Sequence, residues 1–223
     1  KGDLVVVIRK TPSNSEKIYG EDFCRLFGFL LGGGWLVNNA GERKNWQICV
    51  AASNREEIDE EYVHLFEKVF GVRLKLEKSG KWYYCYSKDV WRRLNALGLN
   101  KPAVEREVPS WVFELSEEEK LAFLAGLIDA DGTISRSGTG YVATIEVASE
   151  KLAKSVKALC VQLGLSCSNI YARERTLKAP CSKAPRRSTF YQVRVGSLGR
   201  LAPYLVKGRE VAERCRSRPR VYK

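Results

Sequence analysis

The sequence has no methionine and a single histidine, His64. One histidine cannot build a histidine metal cluster. His64 also lies in a helical stretch away from the motifs below, so it reads as a helix-surface residue and not as a general base. The seven cysteines, at 24, 49, 85, 160, 167, 181 and 215, include no Cys-x-x-Cys pair. Zinc-ligand spacing is therefore absent, and an odd count excludes a fully paired secreted disulfide framework. Cys49, Cys85 and Cys160 sit in apolar stretches and are expected to be buried thiols. No apolar run reaches the length of a membrane span and no signal-peptide pattern opens the chain, which leads to the expectation of an intracellular protein without membrane contact. With Lys1 first and no methionine anywhere, the chain is expected to be a processed or excised fragment.

Acidic residues are also scarce. There are 26 Asp plus Glu against 38 Lys plus Arg, a net charge of +12 over 223 residues. An excess of this size points to a polyanionic partner, above all nucleic acid, whose phosphates release counterions when cations replace them.

What the chain has is an internal repeat. Leu26–Gly34 matches Leu124–Gly132 in its order of apolar and small residues, and 98 positions separate Gly33 from Asp131. Strand-like stretches at Trp35–Asn39 and Asn45–Ala52 follow the first copy, then a helical pattern over Arg55–Phe70 with Ile58, Tyr62, Leu65, Phe66 and Val69 on one face. Val72–Glu77 and Lys81–Tyr86 read as strands around a Lys78-Ser79-Gly80 turn, and Val90–Leu99 as a closing helix. The second copy repeats the order with strands at Thr133–Ser135 and Tyr141–Ala148, a helix over Glu150–Leu163, strands at Asn169–Arg175 and Thr189–Val195, and a helix over Leu198–Val206. Each half is thus αββαββα. The divisions are an N-terminal extension 1–20, a first half 21–101, a linker 102–116, a second half 117–207 and a basic tail 208–223. Ser116 and Glu119 form a capping-box signal that starts the second motif helix.

Small residues recur at steps of four in both motif segments: Gly28 and Gly32, then Ala122, Gly126 and Ala130. Faces this flat let two helix backbones approach closely, which would relate the halves by a pseudo-twofold axis. Asp131 ends the second helix beside Gly132. A carboxylate there meets the negative helix end and needs a cation to offset it. Asp129 lies about 200° round the helix from Asp131 and is expected to be structural.

Leu124–Gly132 reads Leu-Ala-Gly-Leu-Ile-Asp-Ala-Asp-Gly and so resembles, letter for letter, the name motif of the LAGLIDADG homing endonucleases, here of the single-chain, two-motif kind. The resemblance runs from about Glu21 to about Lys207. It implies an α+β fold of two pseudo-symmetric αββαββα repeats packed through their motif helices, each with a four-stranded antiparallel saddle for the DNA major groove. It implies an intron- or intein-encoded monomer that hydrolyses a long double-stranded DNA site with a divalent cation, usually Mg2+. The metal would be bound by Asp131 with the backbones of Gly32 and Ala130. A basic residue near the scissile phosphate is expected at Lys101 in one half and Lys207 in the other.

One position departs from the family pattern. Gly33 stands where the first motif should carry its acid, so this chain is expected to have one site disabled and to nick or be inactive. Substitution, natural decay and replacement by a neighbouring acid (Glu21, Asp22 or Glu42) are the competing explanations. The alternative function is a non-cutting relative, either an intron RNA maturase or a DNA-binding protein.

Strand alternation gives a DNA-facing set: Asn45, Gln47, Arg73, Lys75 and Glu77 in the first half, with Asn169, Tyr171, Arg173, Arg175, Gln192 and Arg194 in the second. Arg, Lys, Asn and Gln are the side chains that read purine edges. Ser53 and Ser149 are expected to line the same solvent pocket. The basic loop Lys178–Arg187 and the arginines at 214, 216, 218 and 220 are expected to hold phosphates.

Overall fold

Each half builds one four-stranded antiparallel sheet in which its first, second, fourth and third strands lie side by side in that order, so the same topology is built twice. The computed structural model describes residues 16–38, 45–53, 55–138, 140–177 and 186–208. The first half contains α1 (Glu21–Gly33), β1 (Gly34–Asn38), β2 (Trp46–Ala51), α2 (Glu56–Phe70), β3 (Lys75–Leu76), β4 (Trp82–Tyr86) and α3 (Lys88–Ala96). Two 3-10 turns, Ala103–Glu105 and Ser110–Glu114, carry the linker. The second half contains α4 (Glu117–Asp131), β5 (Gly132–Ser137), β6 (Gly140–Val147), α5 (Glu150–Gln162), β7 (Tyr171–Leu177) and β8 (Arg186–Val195). The chain is an α+β fold of two repeats, as the sequence pattern implies. The extension before residue 16, Glu42, the tip of the basic loop and the arginine tail lie outside the described residues.

Local chemistry sets the helix boundaries. The Ser116 side chain accepts from the Glu119 backbone N–H, and the Glu119 carboxylate accepts in return from the Ser116 backbone N–H, which completes the capping box. Ser87 and Ser149 cap α3 and α5 in the same way. Gly71 ends α2 in the left-handed conformation, where a side chain would be strained.

The two motif helices make the main contact between the halves, packed more extensively than any other pair of helices. A Cβ on Gly28 would lie 1.9 Å from the Phe123 carbonyl oxygen, and one on Gly126 would lie 1.9 Å from that of Arg25. Backbone touches backbone at both points. Around this crossing the core closes with Phe27, Leu30, Leu124, Leu127 and Ile128, while the inner faces of the sheets add Ile48, Val50, Ile145 and Val193.

Two elements differ from the sequence reading. The stretch 72–77 forms a ladder only at Lys75–Leu76, because Leu74 turns into the core and the chain is still returning from α2. The helix expected over Leu198–Val206 is a 3-10 turn at Leu198–Arg200 followed by irregular turns. Pro203 has no N–H for a helical bond, and the N–H groups of Val206 and Lys207 bond instead to the Asp129 carboxylate at 2.9 and 2.8 Å.

Gly126→Ala should cost about 3 kcal/mol or more by driving a methyl into a carbonyl. Gly33→Ala, whose new Cβ would have Ala51 Cβ as nearest neighbour at 3.9 Å, should change stability by less than about 1 kcal/mol. Urea midpoints of the two variants decide this; similar midpoints would mean that the helices do not cross as described.

Candidate functional site

Both motif helices end at the same place. α1 ends at Gly33 and α4 at Asp131, and the Asp131 carboxylate lies 3.0 Å from where a Cβ on Gly32 would stand. Gly32 must therefore be small, whereas Gly33 faces open space and could accept a side chain. Asp131 is open to solvent, yet protein surrounds it closely enough that burial raises its pKa; Arg106 and Lys207 partly reverse the shift.

Those two cations hold equivalent positions. Arg106, only 9% exposed, donates through Nη1 to the Leu31 and Gly32 carbonyls at 2.6 and 2.9 Å and through Nη2 to the Gly34 carbonyl at 2.5 Å. It closes the C-terminal end of α1. Lys207 closes the end of α4 by donating through Nζ to the Gly132 carbonyl at 2.6 Å. Burial lowers the Lys207 pKa, and the nearby carboxylates of Asp129 and Asp131 raise it again. Positive side chains suit these ends, where the helix dipole leaves unpaired carbonyls.

The first cation is a correction. Lys101 was expected to mirror Lys207, but its Nζ donates to Glu107 on the exposed surface. Arg106, five residues on, takes the place. Ser149 holds it there, donating its hydroxyl to the Arg106 carbonyl at 2.6 Å while capping α5. Ser149 is thus buried, and Ser53 accepts from the Arg55 N–H; neither is placed as a free pocket-lining group. Nothing in the linker composition singled out Arg106, because its role depends on a fold-back onto a helix 72 or more residues earlier.

Of the acids proposed to replace the missing one, the two among the described residues do not reach the site. Glu21 and Asp22 open α1, about 18 Å from its end, and pair with Lys17 and Lys68. Asp129 is structural: buried, it accepts from the Tyr62 hydroxyl at 2.8 Å as well as from Val206 and Lys207. His64 is exposed on α2.

A metal therefore meets unequal halves. Asp131 offers a free carboxylate beside a helix end, which suits a hard divalent ion completed by water and phosphate oxygens. Among the described residues, the first half offers no acidic side chain there, and the Gly32 carbonyl already accepts from a guanidinium. Among the described residues, no group of three His, Cys, Asp or Glu side chains could hold a metal ion without such outside ligands.

The open sheet faces lie on either side of this centre in sequence and topology. On the second, β6 to β8 register places Thr144 opposite Arg194 and Glu146 opposite Gln192, while Tyr171 pairs with Gln192. Arg175 is bonded to Glu146, and Asn169 accepts from Lys157 of α5, so those two predicted contacts are already engaged within the protein. Arg173 is exposed on the same strand face. On the first, Gln47 pairs with Tyr86, and Lys75 with Tyr84. Asn45 and Arg73 are exposed beside these strands, and the Glu77 carboxylate turns back to accept from Ser79.

Comparison with known proteins matches this geometry. The model of the LAGLIDADG-like domain family fits residues 118–199. A crystal structure of I-DmoI in complex with DNA and Ca superimposes with a TM-score of 0.55 at 15% identity, over 81% of this chain and 85% of that one. Full-length DUF199/WhiA from Thermatoga maritima gives 0.51 at 13%, over 97% of this chain and 66% of that one. The second half is thus similar to the LAGLIDADG-like domain family, and the two repeats together share the fold of I-DmoI. At such identities the structural likeness is one of fold alone.

The curated relatives are more varied. An iron-sulfur cluster assembly SufBD family protein of Mycobacterium leprae is 27% identical over 81% of this chain and 20% of its own length. The replicative DNA helicase DnaB of Synechocystis is 26% identical over 73% and 20%. A glutamine–fructose-6-phosphate aminotransferase of Methanocaldococcus jannaschii is 29% identical over 70% and 14%. The chain spans about a fifth or less of the length of these relatives.

Arg106→Met should destabilise the fold by about 3 kcal/mol by stranding three carbonyls, whereas Lys101→Met should change it by less than about 1 kcal/mol; equal losses in urea unfolding would restore Lys101 to the site. The raised pKa of Asp131 means that the fold disfavours its charged form. Its effect is neutral below the unfolded carboxylate pKa of about 3.9 and becomes destabilising as pH rises through the folded value. Asp131→Asn should therefore raise Tm at pH 7, with the difference closing in acid. A lower Tm at pH 7 would show that the carboxylate is stabilising where it stands.

Proposed function

We propose that this chain is the endonuclease module of an intein-type insert, acting as a monomer that binds a long double-stranded DNA site and cuts one strand with one divalent cation, Mg2+ in the cell. The observation that carries this reading is Asp131 at the junction of the motif helices, flanked by Arg106 and Lys207. I-DmoI, whose fold this chain shares, has been crystallised with DNA and Ca, and the net charge of +12 suits the same partner.

Bound at Asp131, the cation would polarise the scissile phosphate and provide an activated water. Asp131 supplies its charge-matched ligand, with the Ala130 backbone beside it. Lys207 stands at the same helix end, where a positive group stabilises negative charge developing on a phosphate. Arg106 occupies the equivalent end of the first half. It satisfies the carbonyls there and leaves no ligand set for a second metal. Cleavage is then confined to one strand.

The relatives support this setting. Iron-sulfur cluster assembly, DNA unwinding and amino transfer share no chemistry, yet proteins named for each match this stretch over a small part of their length. A segment common to unrelated proteins is a carried module. Its position within a longer protein favours an intein over a free-standing intron product.

Gly33 also supports a rival, a relative that binds without cutting. Supercoiled plasmid bearing the uninterrupted host-gene sequence separates the two in Mg2+. The parent should give nicked circles, Gly33→Asp should give linear product, and Asp131→Asn should leave the plasmid supercoiled. If the parent and Gly33→Asp both bind without breaking a strand, the nuclease reading fails; preference for intron RNA over the duplex would then identify a maturase.

A further inference from the structure

The two open sheet faces occupy matching ladder positions but carry different chemistry. Trp35 pairs with Cys49 and Cys49 with Tyr84 in the first sheet; at the same steps of the second, Thr133 pairs with Thr144 and Thr144 with Arg194. One step along, Ala51 pairs with Trp82 where Glu146 pairs with Gln192. Rings thus stand where the other half has an arginine, a glutamine and a threonine. The second face can exchange hydrogen bonds with base edges in a groove. The first, at these positions, presents ring faces with only one hydroxyl or indole N–H each.

The rings share one face of the sheet. Trp82, Tyr84 and Tyr86 alternate along β4, an internal strand, while Cys85 between them faces the core. Alternate residues on a strand are about 7 Å apart, and the Tyr84 and Tyr86 centroids lie 5.7 Å from one another. Tyr86 is 58% exposed and Trp35 36%. Cys49 shares this outward face yet is only 2% exposed, which its flanking partners Trp35 and Tyr84 explain. Lys75, on the edge strand next to Tyr84, is exposed.

We propose that the open face of the first sheet is a stacking platform for unpaired bases, with Lys75 beside it for the backbone phosphates, so that this half holds single-stranded DNA. Stacking needs access to a base's flat face, which a duplex hides and a single strand presents. A four-stranded sheet with rings on an internal strand and cations at its edge provides both the surface and the charge complementarity for such a strand. The inference rests on the DNA-binding reading and adds that the two halves take different forms of DNA.

The test uses labelled (dT)12 and a 24-base-pair duplex of the proposed target, titrated into the whole chain, with tryptophan quenching and anisotropy as readouts. The parent should bind (dT)12 with quenching. Tyr86→Ala, at an exposed site that should leave the fold intact, should weaken (dT)12 binding about fivefold or more while leaving duplex binding within twofold. Tyr84→Arg, which installs the residue found at the matching position of the second sheet, should shift preference from single strand to duplex. Arg194→Ala should do the reverse and weaken the duplex alone. Duplex binding without measurable (dT)12 binding, or equal loss of both ligands in Tyr86→Ala, overturns the platform and leaves the duplex reading standing. Binding of neither ligand overturns both.

Discussion

Gly28 and Gly126 each touch the backbone of the opposite motif helix, and the relation between the two halves rests on those contacts. Helices whose backbones meet without side chains between them have little freedom to slide, because any shift drives a carbonyl into a chain or opens a void. The same crossing brings both helix C-termini together and places Asp131 beside Gly32. It also demands that Gly32 stay small, for a Cβ there would lie 2.6 Å from that of Ala130. The small-residue stripe is thus the condition for this junction, and its glycines are not interchangeable: Gly33, one residue further on, is free of the constraint.

Charged side chains then tie the irregular segments to this helix pair. Asp129 holds Val206 and Lys207 at one end of α4, while Glu119 near the other end accepts from the N–H groups of Ile18, Tyr19 and Gly20 at 2.7–2.9 Å. Arg106 does the same for the linker against α1. Each is a buried or part-buried charge whose desolvation is offset by several hydrogen bonds, and removing the side chain strands partners on both sides. One consequence is that Lys207 reaches the junction only because Asp129, which touches no candidate ligand site, fixes its backbone.

How far the sequence discloses this differs from feature to feature. The repeat, the helix crossing and Asp131 are legible because each is written locally, in steps of four residues or in a nine-residue motif. The capping box at Ser116 is read for the same reason. Arg106 is not legible: its hydrogen bonds close a loop of more than 70 residues, and Lys101 was an equally basic neighbour at a more plausible alignment. The closing turn at Leu198–Arg200 reads as helix from its apolar spacing, but the Asp129 carboxylate competes for the N–H groups that a helix would use. The rings of β4 alternate in plain view as Trp82, Tyr84 and Tyr86, yet which alternate set faces outward depends on β4 lying inside the sheet with Cys85 turned to the core.

The departures of the first half are not scattered. Gly33 lacks the acid, Arg106 neutralises the helix end where a metal would sit, and the sheet exchanges hydrogen-bonding side chains for rings. The guanidinium satisfies three carbonyls, and four large aromatic side chains, Trp35, Trp82, Tyr84 and Tyr86, remain at least partly exposed on one face. The two helix ends consequently differ in their surroundings: Arg106 closes α1 through three carbonyls, whereas Lys207 closes α4 beside the Asp131 carboxylate, whose pKa burial raises. Among the described residues, the carboxylate at the junction of the motif helices therefore comes from the second half alone.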